Sequence, residues 1–475
     1  MAAKFGTSGL RGLSSELKGA VSALYATAFA EFLKDAKLAE PGSRIAVAQD
    51  FRESSPEIAA TVMAALKRAG LEPVDCGAIP TPALAFYAMG HGWASIMITG
   101  SHIPADRNGI KFYRPDGEIG KTDEAAITGF AETLAKDETA NRVEQVKGDN
   151  HETEAVALFL KRNRAVLPAG ALSGLRIGVY QHSTVARDMM IEVLKTYYAD
   201  AVPLGRSDTF IPVDTEAVSI DTLEKIARWS ADEKLDAIIS ADGDGDRPLV
   251  ADENGVPLRG DLLGLITARF LKAKCVATPV TSNSGIESAG DFTVERTRVG
   301  SPYVIAAMDD AMAEGKTEVM GFEANGGLML GTDFEVDGRR IAALPTRDSF
   351  VPVLSVLYLA AQRKVPVSQI AADFSLPVAA ADRLENYPTE KSQALMQYLR
   401  ASPDNMEAFL APIGRVAQTS DIDGLRVTLE DGRIIHVRPS GNAPELRCYV
   451  EAKTEDAAEA LLAQGLSLLS AWEPA

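Results

Sequence analysis

The stretch SRIAVAQD at residues 43–50, followed by PEIAATVMAALKRAG at residues 56–70, decides the fold class. A short run of small and β-branched apolar residues precedes a segment with helical periodicity and a terminal glycine, the order of a strand followed by an amphipathic helix. The same order recurs at LRIGVYQHS, residues 175–183, and at KCVATPVTSNSG, residues 274–285. Strands that alternate with helices in this way predict three α/β domains in series.

The C-terminal part of the chain follows another pattern. LRVTLEDGRIIHVRP, residues 425–439, consists of two alternating segments around Asp431-Gly432, a dipeptide typical of a β-hairpin turn. Further on, Thr454 suits the N-cap of a helix. We therefore predict an α/β protein with three serial α/β domains, mainly parallel mixed sheets and a smaller C-terminal α+β domain. The domain ranges expected from polar and turn-rich stretches are 1–150, 151–254, 255–375 and 376–475.

The charge and composition of the 475 residues argue against several classes of protein. A net charge of −18 argues against nucleic acid as a partner, because a phosphate backbone binds basic surfaces. Three cysteines without CxxC spacing argue against a disulfide framework. No apolar run reaches the roughly 18 residues of a membrane span, and the opening MAAKFGTSGLRG lacks the apolar core of a signal peptide. We expect a cytoplasmic protein with no membrane partner, and its oligomeric state stays open.

The loop TGSHIPADRNGIKFY, residues 99–113, follows an apolar strand and carries a candidate nucleophile, Ser101. Open α/β sheets bind ligands beyond the carboxyl ends of their strands, where this loop is predicted to lie. A serine hydroxyl becomes an effective nucleophile when neighbouring groups bind the charge of its product, and His102 and Lys111 are suitable neighbours. The alternative is a turn in which the hydroxyl only caps the backbone.

The loop between two predicted strands at AIISADGDGDRPLVADENG places aspartates at alternate positions: Asp242, Asp244 and Asp246. Three convergent carboxylates suit a hard divalent cation and leave coordination positions open for a phosphoryl oxygen. A calcium EF-hand has similar spacing, but it requires glycine where Arg247 stands and helices on both sides. An acidic turn without a cation is the other alternative, and mutual repulsion of the carboxylates disfavours it.

A third loop, VMGFEANGGLMLGTD at residues 319–333, carries Glu323 and Asn325. A carboxylate and an amide suit the hydroxyl groups of a sugar, although a tight glycine-rich turn explains the same pattern. The loop is therefore a candidate site for sugar binding.

A fourth loop, HVRPSGNAPELRCYVEA at residues 436–452, is rich in hydrogen-bond donors around Gly441. Arginine binds phosphate in a bidentate manner, and exposed backbone N–H groups add to such a site. The predicted phosphate ligands are Arg438, Ser440, Asn442 and Arg447. An arginine-rich hairpin turn is the alternative.

These four loops, in this order, resemble the signature of the α-D-phosphohexomutase family. The family's Thr-x-Ser-His-x-Pro loop ending in Asn-Gly-x-Lys is similar to residues 99–111. Its Asp-Gly-Asp-x-Asp-Arg loop is similar to residues 242–247, and its Arg-Pro-Ser-Gly-x-x-Pro loop to residues 438–444. The opening KFGTSGLRG also matches, with Arg11 at the family's arginine. The resemblance covers the whole chain and implies four domains around a central cleft.

The resemblance implies an enzyme that interconverts hexose 6-phosphate and hexose 1-phosphate through a phosphoserine at Ser101. A hexose 1,6-bisphosphate would be both intermediate and activator, and Mg²⁺ would be the metal. The implied ligands of that metal are a phosphoserine oxygen of Ser101 and the carboxylates of Asp242, Asp244 and Asp246. Mannose phosphate is the expected substrate, with glucose phosphate as the alternative and glucosamine phosphate as a further one.

The resemblance also implies roles for the remaining residues. Groups that neutralise the phosphoserine are Arg11, Lys111 and Arg247. Proton transfer falls to Lys111 or His102, and the sugar hydroxyls to Glu323 and Asn325. The second phosphate is assigned to Arg438, Ser440, Asn442 and Arg447.

Two positions depart from the family pattern. Its sugar loop usually reads Gly-Glu-x-Ser-Gly-His, but here Asn325 replaces the serine and Gly327 the histidine. A histidine that many members carry in another loop is replaced by Ser301. A phosphatase using the same phosphoserine and a sugar-phosphate sensor without catalysis are the competing hypotheses.

Overall fold

The predicted strand–helix order of the first segment is confirmed. The structure, a computed structural model, describes residues 3–6, 9–440 and 444–474. Two units make up the chain: Met1–Ala277 with Gly300–Asp373, and Thr278–Val299 with Phe374–Ala475. The first part of unit 1 comprises β1 Lys4–Phe5, β2 Leu10–Leu13, α1 Ser14–Leu17, α2 Ala20–Asp35, β3 Arg44–Gln49, α3 Ser55–Arg68, β4 Glu72–Asp75, α4 Thr81–Gly90, β5 Ala94–Ile98, β6 Arg107–Arg114, β7 Gly117–Glu118, α5 Lys121–Leu134 and β8 Asp149–Asn150.

These strands form a mixed sheet in the order β1-β2-β6-β5-β3-β4-β8, with β7 paired to β6. β3 pairs in parallel with β4 and β5, whereas β6 runs antiparallel to β5. Helices α2, α3 and α5 share one apolar core with β3 and β5, and α4 packs on the same two strands outside that core. Helices cover β5 on both faces, so every one of its residues is buried, Ser95 included.

The second part of unit 1 repeats this arrangement with fewer strands. Its sheet has the order β10-β9-β11-β12, in which β12 runs antiparallel to β11 and the other pairs are parallel. The elements are α6 Glu152–Asn163, β9 Arg176–Tyr180, α7 Arg187–Thr196, β10 Asp200–Leu204, α8 Ile220–Glu233, β11 Ala237–Ala241 and β12 Pro248–Ala251.

The third part contains β13, β15, β16 and β19 as neighbours in one sheet, with β13 and β15 parallel and the other pairs antiparallel. Its elements are α9 Gly260–Leu271, β13 Cys275–Pro279, β14 Thr293–Thr297, α10 Ser301–Ala313, β15 Val319–Phe322, β16 Leu328–Leu330, β17 Phe334–Val336, β18 Arg339–Ile341, β19 Leu344–Asp348, α11 Phe350–Arg363 and α12 Val367–Ala372. β14 and the short 3₁₀ helix Ser284–Ser288 belong to unit 2.

Three antiparallel pairs of unit 1, β5–β6, β11–β12 and β15–β16, arise in the same way. The loops after β5, β11 and β15 each return as a hairpin, so that the next strand runs antiparallel to the one before it. All three loops that the sequence singles out in this unit are these hairpin connections. They therefore lie at the carboxyl ends of parallel strands, where α/β sheets place ligands.

Unit 2 is built on an antiparallel sheet in the order β20-β24-β23-β22-β21. The predicted hairpin turn is confirmed, with Gly432 at φ 85°, and Thr454 caps the last helix by accepting a hydrogen bond from Ala457 N at 3.3 Å. The elements are β20 Val378–Leu384, α13 Thr389–Ala401, α14 Pro403–Leu410, β21 Val416–Ser420, β22 Leu425–Leu429, β23 Ile434–Pro439, β24 Leu446–Ala452 and α15 Glu455–Ala471. Three α/β segments and a C-terminal α+β segment confirm the predicted fold class. The ranges proposed for the four domains stay a prediction.

Within the described residues, no helix combines the length and the apolar character that crossing a bilayer requires.

Candidate active site

Ser101 lies on a strained turn just after β5. Its backbone has φ 54°, a left-handed conformation that is uncommon for a residue with a side chain and is often found at functional sites. The turn is held by a hydrogen bond from Ser101 N to Thr99 Oγ1 at 2.8 Å. The hydroxyl itself donates to Asp242 Oδ2 and lies 3.2 Å from His102 Nδ1. The structure thus brings together Ser101, His102 and Asp242, and their roles stay a prediction.

Arg52 holds the backbone of this turn, and sequence reasoning missed it. Its guanidinium donates to the carbonyl oxygens of four residues of the loop: Ser101 at 3.1 Å, Ile103 at 2.6 Å, Pro104 at 2.7 Å and Arg107 at 3.0 Å. Asp50 pairs with the same group at 3.2 Å, and both side chains are buried. The one signal in the sequence is the charged segment DFRESS, residues 50–55, which contains Arg52 and lies at the end of the first predicted strand.

The three aspartates of the second loop converge. Asp242, Asp244 and Asp246 are fully buried, and their carboxylate oxygens lie within 4.8 Å of one another. Lys111 Nζ lies 2.6 Å from Oδ2 of both Asp244 and Asp246. The Oδ1 atoms of these two aspartates have no hydrogen-bond partner among the described residues. Buried carboxylate oxygens of this kind fit a hard divalent cation, so this triad could hold a metal ion.

The charges in this loop reinforce that conclusion. Burial, and then the neighbouring Asp244 and Asp246, raise the pKa of Asp242 well above its usual range. For Asp246, burial acts in the same direction, but Lys111, Arg347 and Arg247 outweigh it and lower its pKa. The flanking elements are the strands β11 and β12, which excludes the helix–loop–helix of an EF-hand.

Cationic side chains surround the hydroxyl and the aspartates. Burial, and then Arg247, lower the pKa of His102 to about 3, and Arg247 Nη1 lies 3.0 Å from His102 Nδ1. Lys111 is buried, which by itself lowers its pKa, but Asp244 and Asp246 outweigh this and raise it. Burial and two nearby arginines lower the pKa of Arg11 to about 10. His102 is therefore neutral at neutral pH, and Lys111 and Arg11 are charged.

Arg347, which sequence reasoning also missed, connects the loop at residues 319–333 with the loop at residues 242–247, called the metal loop below. Glu323 accepts a hydrogen bond from Arg347 Nε at 2.5 Å, and Arg347 Nη1 lies 3.5 Å from Asp246 Oδ2. Asn325 Oδ1 accepts from Gly327 N at 2.9 Å, so this amide shapes its own turn. Arg347 lies on β19, and no local pattern around it indicates that it reaches this loop.

In unit 2, three of the predicted phosphate ligands, Arg438, Ser440 and Arg447, lie in or next to the adjoining ends of β23 and β24. Arg438 and Arg447 are direct cross-strand partners, paired with Asp423 at 3.0 Å and Glu445 at 3.5 Å. Ser440 N donates to the carbonyl of Glu445 at 2.9 Å. Asn442 lies outside the described residues.

Comparisons with known proteins point to one family. Family models described as phosphoglucomutase/phosphomannomutase match as alpha/beta/alpha domain I at residues 2–138, alpha/beta/alpha domain III at residues 259–376 and the C-terminal domain at residues 386–466. A phosphomannomutase of Sinorhizobium fredii is 59% identical over 99% of both chains. A phosphomannomutase of Salmonella muenchen is 41% identical over 95% of this chain and 92% of its own. The crystal structure of a phosphoglucomutase/phosphomannomutase family protein from Burkholderia thailandensis shares the fold, with a TM-score of 0.76, 20% identity and coverage of 98% of this chain and 97% of its own.

Proposed function

Because the chain belongs to the phosphoglucomutase/phosphomannomutase family, we propose that it interconverts mannose 6-phosphate and mannose 1-phosphate through a phosphoserine at Ser101. The enzyme is a phosphohexomutase, an isomerase that acts by phosphoryl transfer. Mannose is proposed because the two relatives at 59% and 41% identity, which match nearly the whole chain, are phosphomannomutases.

One observation carries the proposed mechanism: the Ser101 hydroxyl contacts Asp242 within a buried cluster of three aspartates and Lys111. A substrate hydroxyl would take the phosphoryl group from phosphorylated Ser101, forming a hexose 1,6-bisphosphate. The bisphosphate would turn round and return its other phosphate to Ser101. A free bisphosphate would rephosphorylate enzyme that has lost the phosphate of Ser101, which would make it an activator.

Mg²⁺ is the metal that we assign to Asp242, Asp244, Asp246 and the phosphorylated Ser101, where a bound cation supplies charge stabilisation to the moving phosphoryl group. Lys111, Arg11 and Arg247 neutralise the remaining negative charge of that group. His102 is neutral and lies beside the Ser101 hydroxyl, so it is the better placed of the two candidates for carrying a proton.

The substrate itself is assigned to the other two loops. Glu323 and Asn325 would bind the sugar hydroxyls. The phosphate that is not transferred would be bound by Arg438, Ser440, Asn442 and Arg447, since arginine pairs suit bidentate contact with a phosphate.

The test is turnover of the purified enzyme on mannose 1-phosphate, glucose 1-phosphate and glucosamine 1-phosphate, each with its own 1,6-bisphosphate. We expect the highest kcat/KM with mannose 1-phosphate. A higher value with another hexose would contradict the assigned sugar. Release of inorganic phosphate without isomerisation would indicate a phosphatase instead.

A further inference from the structure

Arg347 occupies a buried position between two of the loops described above. Its side chain is 2% exposed, and the two carboxylates that it contacts, on Glu323 and Asp246, are 4% and 0% exposed. Buried charges are costly unless they are paired. A guanidinium presents several donors in one plane, so Nε of Arg347 can bond one carboxylate while Nη1 faces the other. Arginine at this position therefore links the two loops.

Gly327 is a glycine because Arg347 lies against it. A Cβ atom at position 327 would come 2.6 Å from Cδ and 2.9 Å from Cγ of Arg347. Gly327 is not in a left-handed conformation, so the backbone alone would accept any residue here. Gly327 is also the position where the family pattern has a histidine. The space for a side chain at 327 is taken by the arginine.

The strand that carries Arg347 is anchored to the site on both sides of this residue. Ser349 Oγ donates to the carbonyl of Gly245, inside the metal loop, at 2.7 Å. Thr346 Oγ1 donates to Glu118 Oε1 at 2.7 Å. Glu118 also accepts a hydrogen bond from Ser301, the second position that departs from the family pattern, at 2.7 Å. Both departures are thus connected to β19.

We infer that Arg347 is a positioning residue of this mutase: it orients the Glu323 carboxylate toward the sugar hydroxyls and couples it to Asp246 in the metal loop. The inference rests on the proposed function, since it assigns Glu323 to the sugar. Arg347 acts through these two carboxylates. Its removal should therefore weaken sugar recognition and turnover more than it weakens the fold.

The experiment compares Arg347→Met, Arg347→Lys and Gly327→Ala with Arg162→Lys as control. Arg162 is also buried, and it pairs at 2.6 Å with Asp348, the next residue of the same strand. We expect Arg347→Met to lower kcat/KM by about 100-fold, with KM raised as well as kcat lowered, because a misplaced group costs that much. Arg347→Lys should recover part of the loss. Gly327→Ala should reproduce part of it with every charged group retained. Arg162→Lys should lose about as much thermal stability as Arg347→Lys does. Its kcat/KM should nevertheless stay within about twofold of that of wild type.

A second readout separates positioning from a general loss of structure. It uses hexose 1-phosphates that each lack one ring hydroxyl. For the analogue that lacks the hydroxyl bound by Glu323, the ratio of wild-type to Arg347→Met kcat/KM should fall toward one, because both changes remove the same contact. An equal loss on every analogue, or activity of the Arg347 variants no lower than that of Arg162→Lys, would overturn the inference. If Arg347→Met does not fold, Arg347→Lys and Gly327→Ala give the same comparison.

Phosphorylation of Ser101 by the bisphosphate, followed by intact mass, keeps this inference distinct from the proposed function. We expect the phosphate adduct in wild type and in the Arg347 variants alike. If wild type carries no phosphate adduct after incubation with the bisphosphate, the proposed function fails; if it carries one and the analogue series shows no convergence, only the role of Arg347 fails.

Discussion

The hydroxyl of Ser101 donates a hydrogen bond to Asp242, which lies 141 positions further along the chain. This contact joins the carboxyl ends of β5 and β11. The two strands belong to different sheets, and each pairs in parallel with a neighbour in its own sheet. Each strand ends in a hairpin loop, and the two loops present a nucleophile and a carboxylate to each other. The predictions for Ser101, for the metal and for Arg52 concern the two loops that meet at this contact.

Replacing the nucleophile should abolish catalysis without unfolding the protein. We expect Ser101→Ala to lower kcat by about three orders of magnitude or more. Intact mass should show a phosphate adduct in wild type that is absent from this variant. Ser95→Ala is the matched control, because Ser95 is equally buried and its hydroxyl has no partner among the described residues. Near-normal activity in Ser101→Ala would contradict the assignment.

Removing the metal should remove activity. Chelation is expected to inactivate the enzyme, and added Mg²⁺ to restore it, because the buried carboxylates suit a hard cation. Asp244→Asn should weaken Mn²⁺ binding, measured by calorimetry, by about 10- to 100-fold. As a control, Asp188→Asn replaces an exposed aspartate that pairs with Arg206. It should change neither the activity nor the affinity for Mn²⁺. Full activity in metal-free enzyme would refute the metal site.

Loss of Arg52 should affect stability and activity together. Arg52→Met removes the cation paired with the buried Asp50 and a donor to four loop carbonyls, so we expect a loss of about 3–5 kcal/mol in the free energy of unfolding. Urea unfolding measures it, with kcat measured on the folded fraction. Arg176→Met removes an exposed pair with Asp200 and should shift the urea midpoint far less. If both variants unfold at the same urea concentration, Arg52 does not hold the loop.

Acid should destabilise the protein through two buried histidines. Burial lowers the pKa of His182 and that of His436 to about 4 from 6.5. Between pH 6.5 and pH 4 the unfolded chain binds more protons than the folded protein does. The contribution of each histidine to the free energy of unfolding is therefore fully present above pH 6.5 and is lost as the pH drops toward 4. Each histidine should add up to about 1.4 kcal/mol per pH unit to this loss. Unfolding of His182→Gln measured from about pH 7 to 5 should show a shallower dependence on pH than that of wild type, and an equally steep one would contradict the prediction.

Arg438→Ala should raise KM for the hexose phosphate by about 10- to 100-fold, since a charge-assisted contact to phosphate is lost. Arg433→Ala is the control, because Arg433 lies on the same hairpin and pairs with Asp431 at its turn. Equal KM values for the two variants would show that Arg438 does not bind phosphate.

The features predicted correctly from the sequence are local ones. Alternating strands and helices, the Asp431-Gly432 turn and the capping of α15 by Thr454 are all determined within a few residues. The convergence of the three aspartates was predictable because it follows from spacing within one loop, and their role as metal ligands stays a prediction. These signals need no knowledge of the rest of the chain.

Arg52 and Arg347 could not be predicted because their partners are distant in sequence. Arg52 contacts carbonyl oxygens 49 to 55 positions away, and backbone carbonyls leave no mark in a sequence. Arg347 meets Asp246 across 101 positions. Gly327 stands where the family pattern has a histidine. Its lack of a side chain leaves room for the Arg347 side chain.

The metal loop also depends on the segment that carries the nucleophile. Thr81, the first residue of α4, donates from its backbone N to the carbonyl of Asp244 at 2.9 Å and from its hydroxyl to the Asp244 carboxylate. Gly245 lies so close to Pro80 that a Cβ would approach it at 3.1 Å. The two segments are therefore not interchangeable modules: recombining them between distant homologues would separate the aspartates from the residues that shape their loop, and such a chimaera could inherit both motifs and still lack the site.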